Sequence, residues 1–151
     1  MIELLVVIAI ISILTASLIA IFNPTRIKQQ VRDAARKSTL ARVATGLSDF
    51  EVSYESYPRV LSDLVPNILI MVPKSPTGAD LGYEAAGHSG ELCATEARTC
   101  KKVVLYDFLE SPKKPCESGI SYWVWTSGSG RLGKICSSTP PTSDGTPIDD
   151  L

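Results

Sequence analysis

The sequence predicts an α+β protein, with a long helix at the N-terminus and a small domain of short β-strands after it. Residues 4–22 carry no charge, and apolar side chains recur at helical spacing over the next 35 or so positions. Further on, prolines and glycines divide the chain into short pieces, two of which are rich in Val, Tyr and Trp. At 151 residues and a formal net charge of -1, the chain has the size of one ordinary domain, and its overall charge gives no reason to expect nucleic acid binding.

The first element is the apolar segment 4–22, in which Leu, Val, Ile and Ala dominate. As a helix it measures about 28 Å, close to the thickness of the hydrocarbon core of a bilayer, so a transmembrane helix is predicted. A cleaved signal peptide is a second interpretation, but Glu3 stands where such a peptide has a basic residue. Glu3 is expected to lie either among lipid headgroups or beside a cation on another chain.

The second element continues this helix to about residue 56, before Pro58. Pro24 lacks a backbone N–H and is expected to kink the helix or loosen it locally. The first domain is therefore predicted at 1–56, with an amphipathic half at 27–56. Ile27 and Val31 are expected to begin an apolar stripe that continues at steps of three and four through Leu40, Val43, Leu47, Phe50, Tyr54 and Tyr57.

The second domain is predicted at 57–136. Residues 61–64 read as a helical turn, and strands are expected at 103–108, 120–126 and 131–136, the last two joined by a turn at 127–130. Trp123 and Trp125 share one strand face, which is expected to pack against the helix or another subunit. Residues 137–151 are rich in Ser, Thr, Pro and Asp, and a polar tail, extended or disordered, is predicted there.

Four cysteines, Cys93, Cys100, Cys116 and Cys136, lie in the second domain. Because no C-x2-C pair occurs, a zinc ribbon is disfavoured, and two disulfides in an extracytoplasmic domain are expected. Three connectivities are open, of which the sequence-local one, Cys93–Cys100 and Cys116–Cys136, is preferred. By the positive-inside rule, the basic residues between 26 and 42 would place the same side in the cytoplasm, which conflicts with the cysteines.

The run Met1 to Leu14, with Glu3 inside an apolar segment, resembles the N-terminus of bacterial type IV pilins and type II secretion pseudopilins. The stretch from Asn23-Pro24 to Tyr57-Pro58 is similar to the helix continuation of one pilin group, and residues 61–64, 73–78 and Tyr83 to the linker after it. The resemblance covers about the first 85 residues and implies a helix whose amphipathic half packs on a small antiparallel sheet.

The resemblance also implies a function. Such chains are held in the inner membrane and then assembled by dedicated machinery into a helical extracellular filament with the apolar helices in its core. Glu3 would pair with the amino terminus of a neighbouring copy and set the register of the assembly. Adhesion, motility and DNA uptake are all open as surface roles, and a major pilin, a minor pilin and a pseudopilin remain alternatives.

Other functions are alternatives to this one. A single-pass, membrane-anchored binding domain would need no self-assembly, and the basic residues between 26 and 42 could attract DNA phosphates. Catalysis, a metal and a cofactor are not expected, because no nucleophile, phosphate-binding or zinc-protease motif occurs. His88 falls in a turn, and the acidic residues Glu91, Glu96, Asp107 and Glu110 are interpreted as solvated surface. Calcium binding by the tail is a further hypothesis, resting on Asp144, Asp149 and Asp150.

Overall fold

The computed structural model describes residues 2–21, 23–87, 93 and 100–143, with the side chains of the first helix described from Ile2 to Ala16. In these residues two α-helices precede a four-stranded sheet. The helices are α1 (Ile2–Ile21) and α2 (Pro24–Tyr54), and a 3-10 turn follows at Leu61–Leu64. The strands are β1 (Gly82–Ala86), β2 (Lys102–Phe108), β3 (Ile120–Thr126) and β4 (Leu132–Ser137). The predicted α+β class is confirmed.

The single helix predicted over residues 1–56 is wrong, because the chain forms two helices that separate just before Pro24. Asn23 has an extended conformation, and its Oδ1 accepts a hydrogen bond from the backbone N–H of Arg26 at 3.2 Å. Pro24 then occupies the first turn of α2, where its missing N–H costs no helical hydrogen bond. Pro24 therefore begins a helix and does not kink one.

The transmembrane helix predicted at residues 4–22 is not found among the described residues. Within the part of the chain described here, no helix has the length and apolar character needed to cross a bilayer.

The sheet is an antiparallel meander, with the strands side by side in the order in which they occur along the chain. Leu105 in β2 lies opposite Tyr83 in β1 and Trp125 in β3. The three predicted strands are present, but β1 was not predicted. Its sequence, Gly-Tyr-Glu-Ala-Ala, contains no β-branched residue, so its strand conformation depends on pairing with β2.

The core lies between the sheet and one face of α2. Leu40, Val43 and Leu47 are fully buried and belong to one cluster with Leu105 and Trp125. This confirms the central part of the predicted stripe. The expectation that Trp123 and Trp125 face the same packed surface is also confirmed, because both belong to this cluster.

The beginning of the predicted stripe is wrong. Ile27 and Val31 are 45% and 63% exposed, so they do not join the buried face. At about 100° per residue, Ile27 lies roughly 140° around the helix axis from Leu40. Steps of three and four can be counted along more than one side of a long helix. Here Ile27 and Val31 lie on a different side of α2 from the buried Leu40.

The second face of the sheet carries its own small core, formed by Val104, Tyr122, Val124 and Ile135. Glu84 lies directly opposite Val104 and so projects from this same face. Ser143 donates to Glu84 Oε1 from its backbone N and from its Oγ, both at 3.1 Å.

Pro141 is fully buried. Residues 138–143 therefore belong to the folded domain, and the predicted polar tail is wrong for this part, because a buried proline and the Ser143–Glu84 bonds hold it. Residues 144–151 lie outside the described residues.

The cysteines are joined as the sequence-local pairing predicts, Cys93 with Cys100 and Cys116 with Cys136. The first pair is buried. Its Cys100 carbonyl accepts a hydrogen bond from the backbone N of Tyr57 at 2.9 Å, which attaches the chain after α2 to the disulfide. The second pair ties the β2–β3 loop to the last strand, and its Cys136 is exposed.

Candidate functional site

The first candidate surface is α1, whose described side chains are all exposed. Large apolar residues dominate it, from Ile2, which is 77% exposed, to Leu14, which is 60% exposed. The hydroxyls of Ser12 and Thr15 donate to carbonyls one turn back along the helix, at 2.7 and 2.8 Å. Because these two hydroxyls bond within the helix, the described side chains of α1 after Glu3 present a continuous apolar surface of the kind that marks an interaction site.

Glu3 lies in the first turn of α1 and is the one charged residue of that helix. The positive end of the helix dipole favours a carboxylate at this position. Within the described residues Glu3 makes no ion pair.

The second feature is a group of five charged residues where α2 meets the end of β2, which we call the buried charge cluster. Arg32, Asp33 and Arg36 come from α2, Asp107 from β2, and Glu110 from the loop that follows β2. Arg36 is 0% exposed and Asp33 is 5% exposed. Ionised groups so far from water are stable only when charge partners and hydrogen bonds replace their hydration.

Arg36 is the centre of this cluster. Its Nη1 donates to Asp33 Oδ1 at 2.9 Å, and its Nη2 donates to Glu110 Oε1 at 2.5 Å. Its Nε donates to the hydroxyl of Ser75 at 3.3 Å and lies 3.5 Å from Asp107 Oδ2. One guanidinium thus contacts three carboxylates from three parts of the chain.

Asp33 connects the helix to the loop after β2 through backbone amides. Its Oδ1 accepts from the N–H of Glu110 at 2.9 Å, and its Oδ2 accepts from the N–H of Ser111 at 2.7 Å. Two loop amides are satisfied in this way, because a carboxylate can accept several hydrogen bonds at once.

Arg32 covers the outer side of Glu110. Its Nε donates to both carboxylate oxygens, at 3.0 and 3.1 Å, and its Nη2 also donates to Oε2. The hydrogen bonds from Arg32, followed by those from Arg36, lower the pKa of Glu110 to about 2. The same hydrogen bonding to Glu110 raises the pKa of Arg32 above its ordinary value.

Two cation–π contacts complete the junction of α2 with the sheet. The Arg36 guanidinium lies 4.4 Å from the ring centre of Phe108, and Lys37 Nζ lies 4.2 Å from that of Trp123. Trp123 stands directly opposite Asp107 in the sheet, and both are 7% exposed. All these groups hold α2 in place on the sheet, so their role is structural.

Sequence reasoning missed this cluster. Asp107 and Glu110 were interpreted as solvated carboxylates, which is wrong because α2 supplies two arginines above them. The signal was present in the helix: Arg36 lies four residues before Leu40 and Asp33 three residues before Arg36, so all three share the buried face. A charge in register with an apolar stripe indicates a buried ion pair.

Several sequence hypotheses concern residues that the structure leaves undescribed. His88, Glu91 and Glu96 lie between β1 and β2, and the calcium hypothesis rests on Asp144, Asp149 and Asp150; all six are outside the described residues. Among the residues that are described, no three His, Cys, Asp or Glu side chains are grouped to hold a metal ion.

Comparisons of the chain with protein families, with curated proteins and with solved structures found no match.

Proposed function

We propose that this chain is a structural subunit of a type IV pilus-like filament, assembled by packing of its N-terminal helices. The observation that carries the proposal is the exposure of α1, which presents large apolar side chains from Ile2 to Leu14 beside a domain that has its own closed core. Removing such surface from water stabilises an association by about 25 cal/mol per Å², and copies of the same helix supply a matching surface.

The folded domain supports this proposal through its construction. The core under Leu40, Val43 and Leu47 and the buried charge cluster both fix α2 on the sheet. A subunit held in this way has α2 in one orientation on its sheet, and a regular helical assembly requires subunits of one defined shape.

Glu3 is proposed to determine the register of the assembly. A lone carboxylate in an apolar helix is costly to bury, so it favours arrangements that bring a cation of another copy beside it. The resemblance of residues 1–14 to type IV pilins and pseudopilins adds that the subunit is stored in the inner membrane and reaches the outside as part of the filament.

The test is electron microscopy of material sheared from the cell surface, comparing the wild-type chain with Glu3→Ala. We expect thin filaments that contain this chain in the wild type and few or none in the variant. Glu117→Ala is the matched control, because Glu117 is an exposed carboxylate in the β2–β3 loop, far along the chain from α1. It should leave filament number unchanged.

A wild-type protein that remains monomeric in the membrane fraction, even when overexpressed, would overturn the proposal and favour the anchored binding domain. Overexpression is part of the design because a pseudopilin at native levels forms few visible filaments. Equal filament numbers in wild type and Glu3→Ala would contradict the register role of Glu3 alone.

A further inference from the structure

The end of the folded domain next to α1 is formed by the first part of α2 and by the loop that joins β2 to β3. α2 begins three residues after α1 ends. The loop lies at the level of this first part, because its Glu110 bonds to Arg32 and Arg36. Lys134 of β4 reaches the same loop, where its Nζ donates to the carbonyl of Lys114 at 3.0 Å. We call residues 24–37, residues 107–120 and Lys134 the proximal end.

The proximal end carries a surplus of four positive charges, from eight basic and four acidic residues, in a chain whose net charge is -1. Three of the four carboxylates belong to the buried charge cluster and are paired with Arg32 and Arg36. Lys74 and Asp80, in the loop that brings Ser75 to Arg36, pair with each other and leave the surplus unchanged. Six basic residues of the proximal end form no ion pair within the described part of the chain: Arg26, Lys28, Lys37, Lys113, Lys114 and Lys134.

Lys113 and Lys114 lie side by side in the β2–β3 loop, and both are exposed. Pro112 and Pro115 stand on either side of them and fix the backbone φ at both positions. The disulfide at Cys116 then ties the loop to β4. The two positive charges are therefore presented to solvent from a constrained loop.

Exposed apolar side chains lie among these charges. Phe108 and Ile120 stand at the two ends of the loop, and Ile27 and Val31 lie near the start of α2. Each of the four is at least 40% exposed. The guanidinium of Arg36, 4.4 Å from the Phe108 ring centre, places this ring beside α2. Apolar residues mixed with lysines and arginines are typical of surfaces that enter the headgroup region of a bilayer.

We infer that the proximal end binds the anionic headgroups of a lipid bilayer while the subunit is held in the membrane. The inference rests on the proposed function for that storage, and it identifies the surface of the domain that meets the lipid. α1, whose exposed side chains after Glu3 are largely apolar, is the element that enters lipid. It brings the proximal end to the headgroups.

The distances allow this contact even when α2 stands along the bilayer normal. Arg32, which bonds to the loop, lies about 12 Å from Pro24 along the helix. A headgroup layer is about 5–8 Å thick, and charges act over about another 8 Å at physiological salt. Each Lys or Arg close to an anionic surface favours binding about fivefold.

DNA is the other polyanion that a basic surface of this kind could meet. Its phosphates would use the lysines and arginines, but it would leave the four exposed apolar side chains without a partner. Headgroups above a hydrocarbon layer use both kinds of side chain, and α1 lies next to the same end of the domain. The membrane therefore matches the proximal end better than DNA does.

The test is acylation of lysine amines in the full chain, reconstituted in vesicles of phosphatidylcholine alone or mixed equally with phosphatidylglycerol. A membrane-impermeant N-hydroxysuccinimide ester is applied, and peptide mass spectrometry measures the rate at each lysine. Lys113 and Lys114 should react several times more slowly in the anionic vesicles, and high salt should remove the difference. Lys101 and Lys102 are the internal control. They lie at the other end of β2, about 20 Å away, and should react equally in both kinds of vesicle.

The variant Lys113→Gln/Lys114→Gln tests the attraction itself. With two positive charges removed, the protection of Lys28 by anionic lipid should fall. The matched control, Lys101→Gln/Lys102→Gln, should leave that protection unchanged. All four substituted side chains are exposed, so both variants should keep the fold.

Equal rates at Lys113 and Lys114 in the two kinds of vesicle would overturn the inference. Protection of these lysines by added double-stranded DNA in neutral vesicles, with none by anionic lipid, would overturn it as well and identify DNA as the partner. Filaments formed by a chain that shows no lipid protection would leave the proposed function standing. Protection in a chain that forms no filaments would contradict the proposed function and leave the lipid contact.

Discussion

Arg36 in α2 and Glu110 after β2 are 74 residues apart in the chain, and Arg36 Nη2 donates to Glu110 Oε1 at 2.5 Å. The Arg36 side chain is fully buried. The contact joins the helix to the sheet at the opposite end of the junction from Tyr57 and its bond to Cys100. Between the two contacts lies the apolar core. The orientation of α2 on the sheet depends on this arrangement.

Arg36→Ala should destabilise the domain strongly. It leaves Asp33, Asp107 and Glu110 without their shared cation, and loss of one partner of a buried pair costs about 3–5 kcal/mol. Urea unfolding of the full chain in detergent, followed by Trp fluorescence, measures the change in the free energy of unfolding. Arg42→Ala is the control, because Arg42 is exposed, and its change should stay within about 0.5 kcal/mol. Equal effects of the two variants would contradict the account of the cluster.

The cluster should also make stability depend on acid pH. The pKa of Glu110 is lowered to about 2 in the folded chain, below the value near 4.5 of the free side chain. Its contribution is therefore fully present above about pH 5 and is lost as the pH falls towards 2. Chemical unfolding between pH 6 and pH 2.5 should give a smaller loss of stability for Glu110→Gln than for wild type. Identical pH profiles would show that Glu110 is not held by the two arginines.

Gly82→Ala should destabilise the sheet edge. The ring of Tyr106 lies over Gly82, its partner across the strand pair, and a Cβ there would overlap the ring. Displacement of the ring should cost about 1–3 kcal/mol. The control is Gly128→Ala, since no atom lies within 4 Å of the position its Cβ would take. Thermal unfolding should separate the two variants, and a Gly82→Ala chain as stable as the control would contradict the packing of Tyr106.

The two disulfides should differ in their resistance to reduction. Cys93 and Cys100 are buried in the core, whereas Cys136 is exposed, so a thiol reductant reaches the second pair more easily. In the native state, brief treatment with dithiothreitol, alkylation and peptide mass spectrometry should find Cys116 and Cys136 labelled first. Earlier labelling of Cys93 and Cys100 would show that their end of the domain opens more readily than the core contacts indicate.

Much of the fold could be predicted from local patterns. The stripe at Leu40, Val43 and Leu47, the strands with Val, Tyr and Trp, and the cysteine pairing follow from periodicity, composition and chain separation. β1 could not be predicted, because its five residues acquire strand conformation from their neighbour in the sheet. The division into two helices does not follow from Pro24 alone, because a proline within a helical pattern also predicts a kink. Asn23 and Pro24 together form the start of a helix.

The charge cluster was harder to predict because it depends on contacts between distant residues. Arg32 and Arg36 looked like members of a solvated basic run, and the loop with Glu110 like exposed surface. Their contact exists because the meander returns the end of β2 to the first half of α2. The surface of α1, in contrast, follows directly from the composition of residues 2–16.

Peptide mass spectrometry and gold-labelled antibodies applied to thin filaments sheared from wild-type cells test the central claim most directly. The account predicts that this chain is a principal component and that label lies along the whole filament. Filaments that lack the chain, together with its recovery as a monomer in the membrane fraction at native and raised expression, would contradict the account.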